Sequence, residues 1–233
     1  MLAIYKRELR AYYVSPLAYV YLAFISFFSG WSFRSMLYNQ TNDMGGIFRE
    51  LFLFVMILIA LLTSRLFAED KRQKTDQLLL TSPISLWSLV LGKYLAALTL
   101  FLNGMCINLI FAFILCFFKA PEWITFICNF TGTLLLGAAL IAIGIFISSL
   151  TESVIVAGVC TFVVSIMIYL IDMLAEQIPV NWITEIVRYI SFSPHYNSFM
   201  DGIPNLTNLV FFASFIGAFL FFTIRVLDHK RWA

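Results

Sequence analysis

Few side chains in this sequence combine the types and the spacing that enzyme chemistry requires. Asp172 and Glu176 stand four residues apart, so a helix would place both carboxylates on one face, as an acid and base couple requires. The pair follows a long apolar run, and a hydrated helix end is the favoured interpretation. His195 and His229 are the only histidines and lie far apart in the sequence. Their separation argues against a catalytic pair.

The sequence also lacks the short motifs of nucleotide, metal and hydrolase sites. Gly92-Lys93 has neither the upstream glycine nor the following Ser or Thr of a P-loop, so the chain has no ATP site of that kind. HExxH, GxSxG and CxxC are absent as well. Four cysteines lie in or beside apolar runs and are interpreted as small buried thiols. We therefore predict no catalytic, cofactor-binding or metal-binding residue in this chain.

The composition is that of a protein dissolved in lipid. Hydrophobic residues make up 61% of the 233 residues and charged residues only 12%, whereas a soluble domain carries about 25% charged residues. The mean hydropathy is +0.91. A net charge of +2 is too small to indicate nucleic acid as a partner. The composition predicts an all-α membrane protein, a polytopic helix bundle in a lipid bilayer.

Apolar runs long enough to cross a bilayer recur six times, within a single transmembrane domain over 1–233. The run from Leu86 to Phe118 is too long for one crossing, since about 20 residues suffice. We therefore predict that its first two turns lie outside the membrane and that Lys93 is an interface anchor, as is Trp232 near the C-terminus. The predicted spans are 17–38, 47–67, 94–118, 123–149, 154–174 and 207–226.

The segments on the two sides of the membrane differ in their number of lysines and arginines, if the chain crosses the membrane six times. With the N-terminus inside, the inner segments hold 11 of these residues and the outer segments 4. Cytosolic loops carry this excess, so both termini and the loop between the second and third spans are predicted to be cytosolic. Almost no ionisable residue falls within a span. This scarcity argues against an autonomous ion-coupled transporter.

Two further segments are neither spans nor plain loops. Residues 1–15 are amphipathic and basic, which predicts a helix in the headgroup layer, although a basic cap on the first span fits nearly as well. Ser15-Pro16 is a signal for the start of a new helix. Residues 175–206 mix apolar residues with prolines, which predicts short interfacial or re-entrant helices on the outer side.

The segment from Arg65 to Lys93 is the only long polar interval that is also densely charged. Arg65 with Glu69, and Asp70 with Lys74, stand at the i,i+4 spacing of helical ion pairs. A leucine patch follows them, and then a second Ser-Pro pair. A solvated loop whose charges only fix the topology is the simplest alternative.

This segment resembles the loop between the second and third spans of permease subunits of type-2 ABC exporters. Lys74 stands where that family usually has glycine, and only Asp76 is acidic after the threonine. The end of the chain looks like the branch that includes gliding-motility permeases, through Ser193, Pro194, His195, Phe199, Gly202, Arg231 and Trp232. The positions that carry the first resemblance are Glu69, Lys71, Arg72, Thr75, Asp76, Leu78, Leu79, Ser82, Pro83, Gly92 and Lys93.

The resemblance implies that transport and ATP hydrolysis are carried out by separate chains. Residues 1–15 would be an elbow helix and 68–85 a coupling region that docks on an ABC ATPase subunit. Two permease subunits, identical or related, would assemble with two P-loop ATPases, which hold ATP and magnesium. The predicted ATPase contacts are Glu69, Asp70, Lys71, Arg72, Thr75, Asp76, Leu78, Leu79, Leu80, Ser82 and Pro83.

The expected function is therefore that of a permease subunit of an ABC exporter in the cytoplasmic (inner) membrane of a bacterium. It would move substrate with ATP hydrolysed by a separate subunit. A membrane anchor or scaffold of an ATPase-linked complex without export activity is the main alternative. An intramembrane enzyme is a weaker one, because the spans lack a polar catalytic cluster.

Overall fold

A computed structural model describes residues 1–39, 45–75, 85–117, 122–175 and 191–232. All regular structure in these ranges is helical, and six helical segments are long and apolar enough to cross a membrane. The predicted all-α polytopic fold is thus confirmed. The helices are α1 Leu2–Val14, α2 Pro16–Tyr38, α3 Gly45–Thr63, α4 Ala68–Arg72, α5 Leu86–Met105, α6 Ile107–Leu115, α7 Trp123–Leu150, α8 Val154–Ala175, α9 Phe192–Met200 and α10 Leu206–Trp232.

Two of the six membrane-spanning segments contain a break. The second consists of α3 and α4, separated by a turn over residues 64–67, and the third consists of α5 and α6, which meet at Cys106. Helix α5 already begins at Leu86, so the two turns that we predicted outside the membrane continue directly into the third span. At the start of α2, Ser15 caps the helix by accepting a hydrogen bond from the Leu17 amide, and Pro16 occupies the first helical position, as the Ser-Pro pair predicts.

Helices α3 and α7 form the centre of the bundle. In the most apolar stretch of the spans that contain them, 72% of the residues are buried, against 17% for α8 and 22% for α10. Helix α7 packs closely because three glycines on it receive side chains from three other helices. Gly132 faces Phe199 of α9, Gly137 faces Phe101 of α5, and Gly144 faces Thr63 of α3. Small residues permit this close approach in lipid, where the apolar solvent supplies no hydrophobic driving force between helices.

We expect Gly144→Ala to lower the free energy of unfolding by about 1–3 kcal/mol, the usual cost of overpacking a core. The added methyl carbon would stand 2.7 Å from Thr63 Cβ on the facing helix. Gly217→Ala is the matched control, because no atom lies within 4 Å of its added carbon. Denaturant titration in mixed micelles measures both variants, and equal stability of the two would show that the α3–α7 contact yields easily.

Helix α9 fills one end of the bundle and is the described part of the predicted outer-side helices over 175–206. Its Tyr196 hydroxyl donates to the Phe48 carbonyl at 3.0 Å and lies 3.2 Å from Thr133 Oγ1. The Asn129 amide, oriented so that its nitrogen faces α9, donates to the carbonyls of Phe199 and Met200 at 2.9 and 3.1 Å. The Asn129 bonds supply donors to the last carbonyls of α9, which have no partner within that helix.

Candidate functional site

The bend between α3 and α4 is fixed by one serine from α7. Ser148 is fully buried, and its Oγ accepts hydrogen bonds from the amides of Phe67 and Ala68, both at 3.1 Å. The same hydroxyl donates to the Ser64 carbonyl at 3.1 Å. Residues 64–67 leave the helix, so these backbone groups lack the usual partner one turn away. Ser148 replaces that partner and joins the bend to the end of α7.

A lysine makes the second connection between α4 and α7. The Lys71 side chain is buried, and its Nζ donates to the carbonyl of Ser149, in the last turn of α7. The final carbonyls of a helix have no partner within it, and a cation there also opposes the negative end of the helix dipole. Lys71 therefore holds α4 against the C-terminal end of α7.

An ion cluster joins α4 to α1 and α5. Lys93 of α5 is only 1% exposed, and its Nζ lies 2.6 Å from Asp70 Oδ2 and 3.0 Å from Glu8 Oε1. The ammonium donates hydrogen bonds to Glu8 Oε1 and, at 2.5 Å, to the Leu66 carbonyl, while its contact with Asp70 is an ion pair. The Phe67 ring lies 5.0 Å away as a cation–π partner. Three separate parts of the chain thus meet at one buried ammonium.

Arginines border this cluster and a cavity beside it. Arg7 lies 2.7 Å from Glu8 and 3.7 Å from Asp70, so that two cations and two carboxylates balance. Arg65 forms the predicted pair with Glu69 at 2.8 Å, which confirms that part of the sequence interpretation. Arg7, Glu8, Arg65, Glu69 and Asp70 all line a cavity of about 260 Å³ between α1 and residues 65–75.

Tyr12 and Ser15 connect the N-terminal helix α1 to the end of α3. The Tyr12 hydroxyl donates to the Leu62 carbonyl at 2.8 Å, and burial raises the pKa of Tyr12 so that the hydroxyl stays protonated. Arg65 Nη1 donates to Ser15 Oγ at 2.6 Å. Helix α1 is therefore attached to the second span near the C-terminal end of α3, and to the third span through Glu8.

The chain turns sharply after α4, and the predicted Asp70–Lys74 pair is wrong. Helix α4 ends at Arg72, and Lys74 has a φ of 57°, in the left-handed region. The turn directs Lys74 away, while Asp70 points to Lys93 and Arg7. The pair fails because i,i+4 spacing matters only while the helix continues. The family that this segment resembles usually has glycine at the position of Lys74, and glycine is the residue best suited to a positive φ.

We expect Lys74→Gly to raise the free energy of unfolding by about 0.5–1 kcal/mol. A left-handed conformation costs a residue with Cβ about 1–2 kcal/mol, from which the greater freedom of glycine in the unfolded chain subtracts about 0.4–1 kcal/mol. Gln73→Gly is the control, since Gln73 has a φ of −87° and gains no relief there. The result contradicts the strain argument if both variants are equally destabilised in denaturant titrations.

The predicted ATPase contacts fall into three groups: side chains that turn inward, side chains that are accessible, and residues outside the described ranges. The side chains of Asp70 and Lys71 turn inward to Lys93 and Ser149, whereas Arg72 is exposed and Glu69 is 36% exposed. Thr75 is half-buried, and its hydroxyl lies 3.1 Å from the Asp70 carbonyl. The remaining predicted contacts lie outside the described residues; they are Asp76, Leu78, Leu79, Leu80, Ser82 and Pro83.

The two predicted interface anchors are placed differently. Lys93 was expected among lipid headgroups, but its ammonium lies inside the protein because Glu8 and Asp70 supply buried counter-charges there. Trp232 is the last residue of α10. Glu8 and Ser148 were not predicted at all, although Glu8 is the only acidic residue among the first fifteen and thus a visible exception in a basic helix.

Comparison with known protein families finds a match over most of the chain. Residues 23–227 match the family model described as ABC-2 family transporter protein. No curated protein matches the chain. The matched range includes all six membrane-spanning segments wholly or in part, and it includes the bend, α4 and Lys93. The chain is therefore a multi-pass membrane permease that belongs to the ABC-2 family of transporters.

Proposed function

We propose that this chain is the permease subunit of an ABC exporter and that residues 68–85 receive the movement of a separate ATPase subunit. The observation that carries the proposal is the position of α4. This short helix is joined to α3 of the second span by the chain itself, to the third span by Asp70 and Lys93, and to the fourth by Lys71 and Ser149. A force applied to α4 therefore reaches three spans and the elbow helix together.

The connections suit rigid-body transmission. Lys93 is buried, and the hydrogen bonds of Ser148 fix the bend between α3 and α4. Helix α4 is therefore held in a fixed position relative to the nearby ends of α5 and α7. Packed elements joined in this way rotate or shift as units. The ATPases would close on ATP and magnesium, and the spans would follow α4. This chain would supply no nucleotide site, in keeping with the missing P-loop motif.

Charge supports the proposed assignment of sides. The elbow helix, residues 65–93 and the C-terminal end hold 11 of the 15 lysines and arginines. The excess favours a cytosolic location for all three, on the side where the ATPases and their ATP would be. The bilayer would then be the cytoplasmic (inner) membrane of a bacterium. A second permease subunit, the same chain or a related one, would complete the assembly.

Within the coupling region we assign two roles. Asp70 and Lys71 would hold α4 to the spans, since their charged groups are engaged inside the protein. Glu69 and Arg72 would contact the ATPase, since both remain accessible. The predicted leucine patch at Leu78, Leu79 and Leu80 would supply the apolar part of that contact.

The test is purification of the full chain from its native membrane. We expect a P-loop ATPase to copurify and its ATP turnover to respond when both are reconstituted in proteoliposomes. Arg72→Glu should weaken the association severalfold, whereas Arg34→Glu, also an exposed arginine but at the far end of α2, should not. The absence of any copurifying ATPase would overturn the proposal. An ATPase that binds but drives no transport would identify a scaffold instead.

A further inference from the structure

The elbow helix α1 has two opposite faces of contrasting character. Ile4, Glu8 and Tyr12 follow one another at four-residue intervals and face the protein, with Ile4 and Tyr12 buried and Glu8 paired with Lys93. A second row at the same interval lies on the other side of the helix, as the two-residue offset requires. Its members are all exposed: Leu2, Lys6, Arg10 and Val14.

The exposed row carries two cations that the described part of the chain does not neutralise. Among the residues that the structure describes, Lys6 and Arg10 make no ion pair or hydrogen bond through their side chains. The third cation of α1, Arg7, is compensated by Glu8 at 2.7 Å. The outer face of α1 is therefore positive, with two free cationic side chains one helical turn apart.

Exposed apolar side chains stand at both ends of this row. Leu2 is 67% exposed and Val14 is 78% exposed. Aliphatic groups beside cations on one helix face are typical of a surface that rests in the headgroup layer, where the apolar groups enter the acyl boundary. Only Ser15 separates Val14 from the first residue of a membrane-spanning helix, so the Val14 end of the row lies next to the bilayer.

We propose that Leu2, Lys6, Arg10 and Val14 form a binding surface for anionic phospholipid headgroups. The two cations match phosphate charge, and each lysine or arginine near such a surface adds appreciable attraction. An acidic protein surface would also match the cations, but it would leave the exposed Leu2 and Val14 without an apolar phase. The proposal concerns lipid chemistry only and does not depend on the ATPase.

The same helix links this surface to the ion cluster. Glu8 lies between Lys6 and Arg10 in sequence and projects from the opposite face to Lys93. Since α1 is a single helix of 13 residues, anything that holds its outer face also holds Glu8 in place. Bound anionic lipid is therefore expected to stabilise the folded protein by favouring the state in which it binds.

The experiment compares the purified full chain in phosphatidylcholine nanodiscs with and without phosphatidylglycerol. We expect the thermal midpoint of the wild type to rise by several degrees with phosphatidylglycerol. Lys6→Gln with Arg10→Gln should abolish most of that rise and lower retention of the anionic lipid roughly tenfold in native mass spectrometry. Both side chains are exposed, so the variant should match the wild type in pure phosphatidylcholine.

A second double variant controls for net charge. Arg72→Gln with Lys74→Gln removes two exposed cations from the coupling region and leaves α1 intact. An equal loss of the lipid effect in both double variants would show general surface charge only and would overturn the assigned site. A wild type whose midpoint is the same with and without phosphatidylglycerol would overturn it as well.

Discussion

Lys93→Met is expected to lower the free energy of unfolding by about 3 kcal/mol, near the low end of what removal of one partner from a buried ion pair costs. The substitution keeps the length and apolar stem of the side chain but leaves Glu8 and Asp70 facing each other without the ammonium between them. Both carboxylates retain some access to water, at 13% and 17%, and Arg7 stays within 3.7 Å of Asp70. These features place the expected loss below the larger values of fully enclosed pairs.

Denaturant titration in mixed micelles measures the loss, and two further variants locate its origin. Lys6→Met removes an exposed lysine from the neighbouring helix and should change the stability by no more than about 0.5 kcal/mol. Adding Glu8→Gln and Asp70→Asn to Lys93→Met removes the stranded charges and should restore part of the loss. If the triple variant is less stable than Lys93→Met, carboxylate repulsion is not the cause, and the contribution of Lys93 lies in its hydrogen bond to Leu66 or its packing on Phe67.

The fold class could be predicted because it depends on composition and on run length, which are properties of the sequence itself. Within a bilayer the backbone must form all its hydrogen bonds internally, and a chain that does not close into a barrel can do so only as helices. The family could be predicted for a related reason, since the residues that carry the resemblance lie close together in the sequence. The local pair Arg65–Glu69 is correct on the same basis.

The ion cluster could not be predicted because its partners meet only through tertiary packing. Glu8 and Lys93 are 85 residues apart in the sequence and Asp70 lies between them, so no spacing rule connects the three. Lys93 beside a glycine at the edge of an apolar run has the same local pattern as an interface lysine. What distinguishes the two cases is a counter-charge from another helix, and the sequence does not show where α1 lies.

Ser148 illustrates a second kind of limit. The predicted span 123–149 places Ser148 in the last turn of a helix, and α7 ends close by, at Leu150. A serine at a helix end usually reaches water or its own backbone. Here the groups it serves belong to Phe67 and Ala68, whose need for acceptors arises only because α3 breaks at residue 64. The break follows α3, and the hydroxyl that compensates for it belongs to α7. Only the folded structure brings the two together.

Ser148→Ala is therefore expected to cost about 2–4 kcal/mol, although it removes a single oxygen atom. The amides of Phe67 and Ala68 and the carbonyl of Ser64 would all lose their partner in a buried site. Each unsatisfied buried group costs about 1–3 kcal/mol, and local adjustment recovers some of the sum. We expect denaturant titration to show the loss and hydrogen exchange at Phe67 and Ala68 to become faster.

Ser149→Ala provides a control that differs by one position. Ser149 is also buried at the end of α7, but its hydroxyl donates only to the Phe146 carbonyl of its own helix, and its backbone carbonyl can still accept from Lys71 after the substitution. We expect a change within about 1 kcal/mol and unaltered exchange at the bend. If the two alanine variants are equally stable, α3 and α4 can join into a continuous helix without cost. The bend would then be a property of the surrounding packing, and α4 would have to be held in place by Lys71 and Lys93 alone.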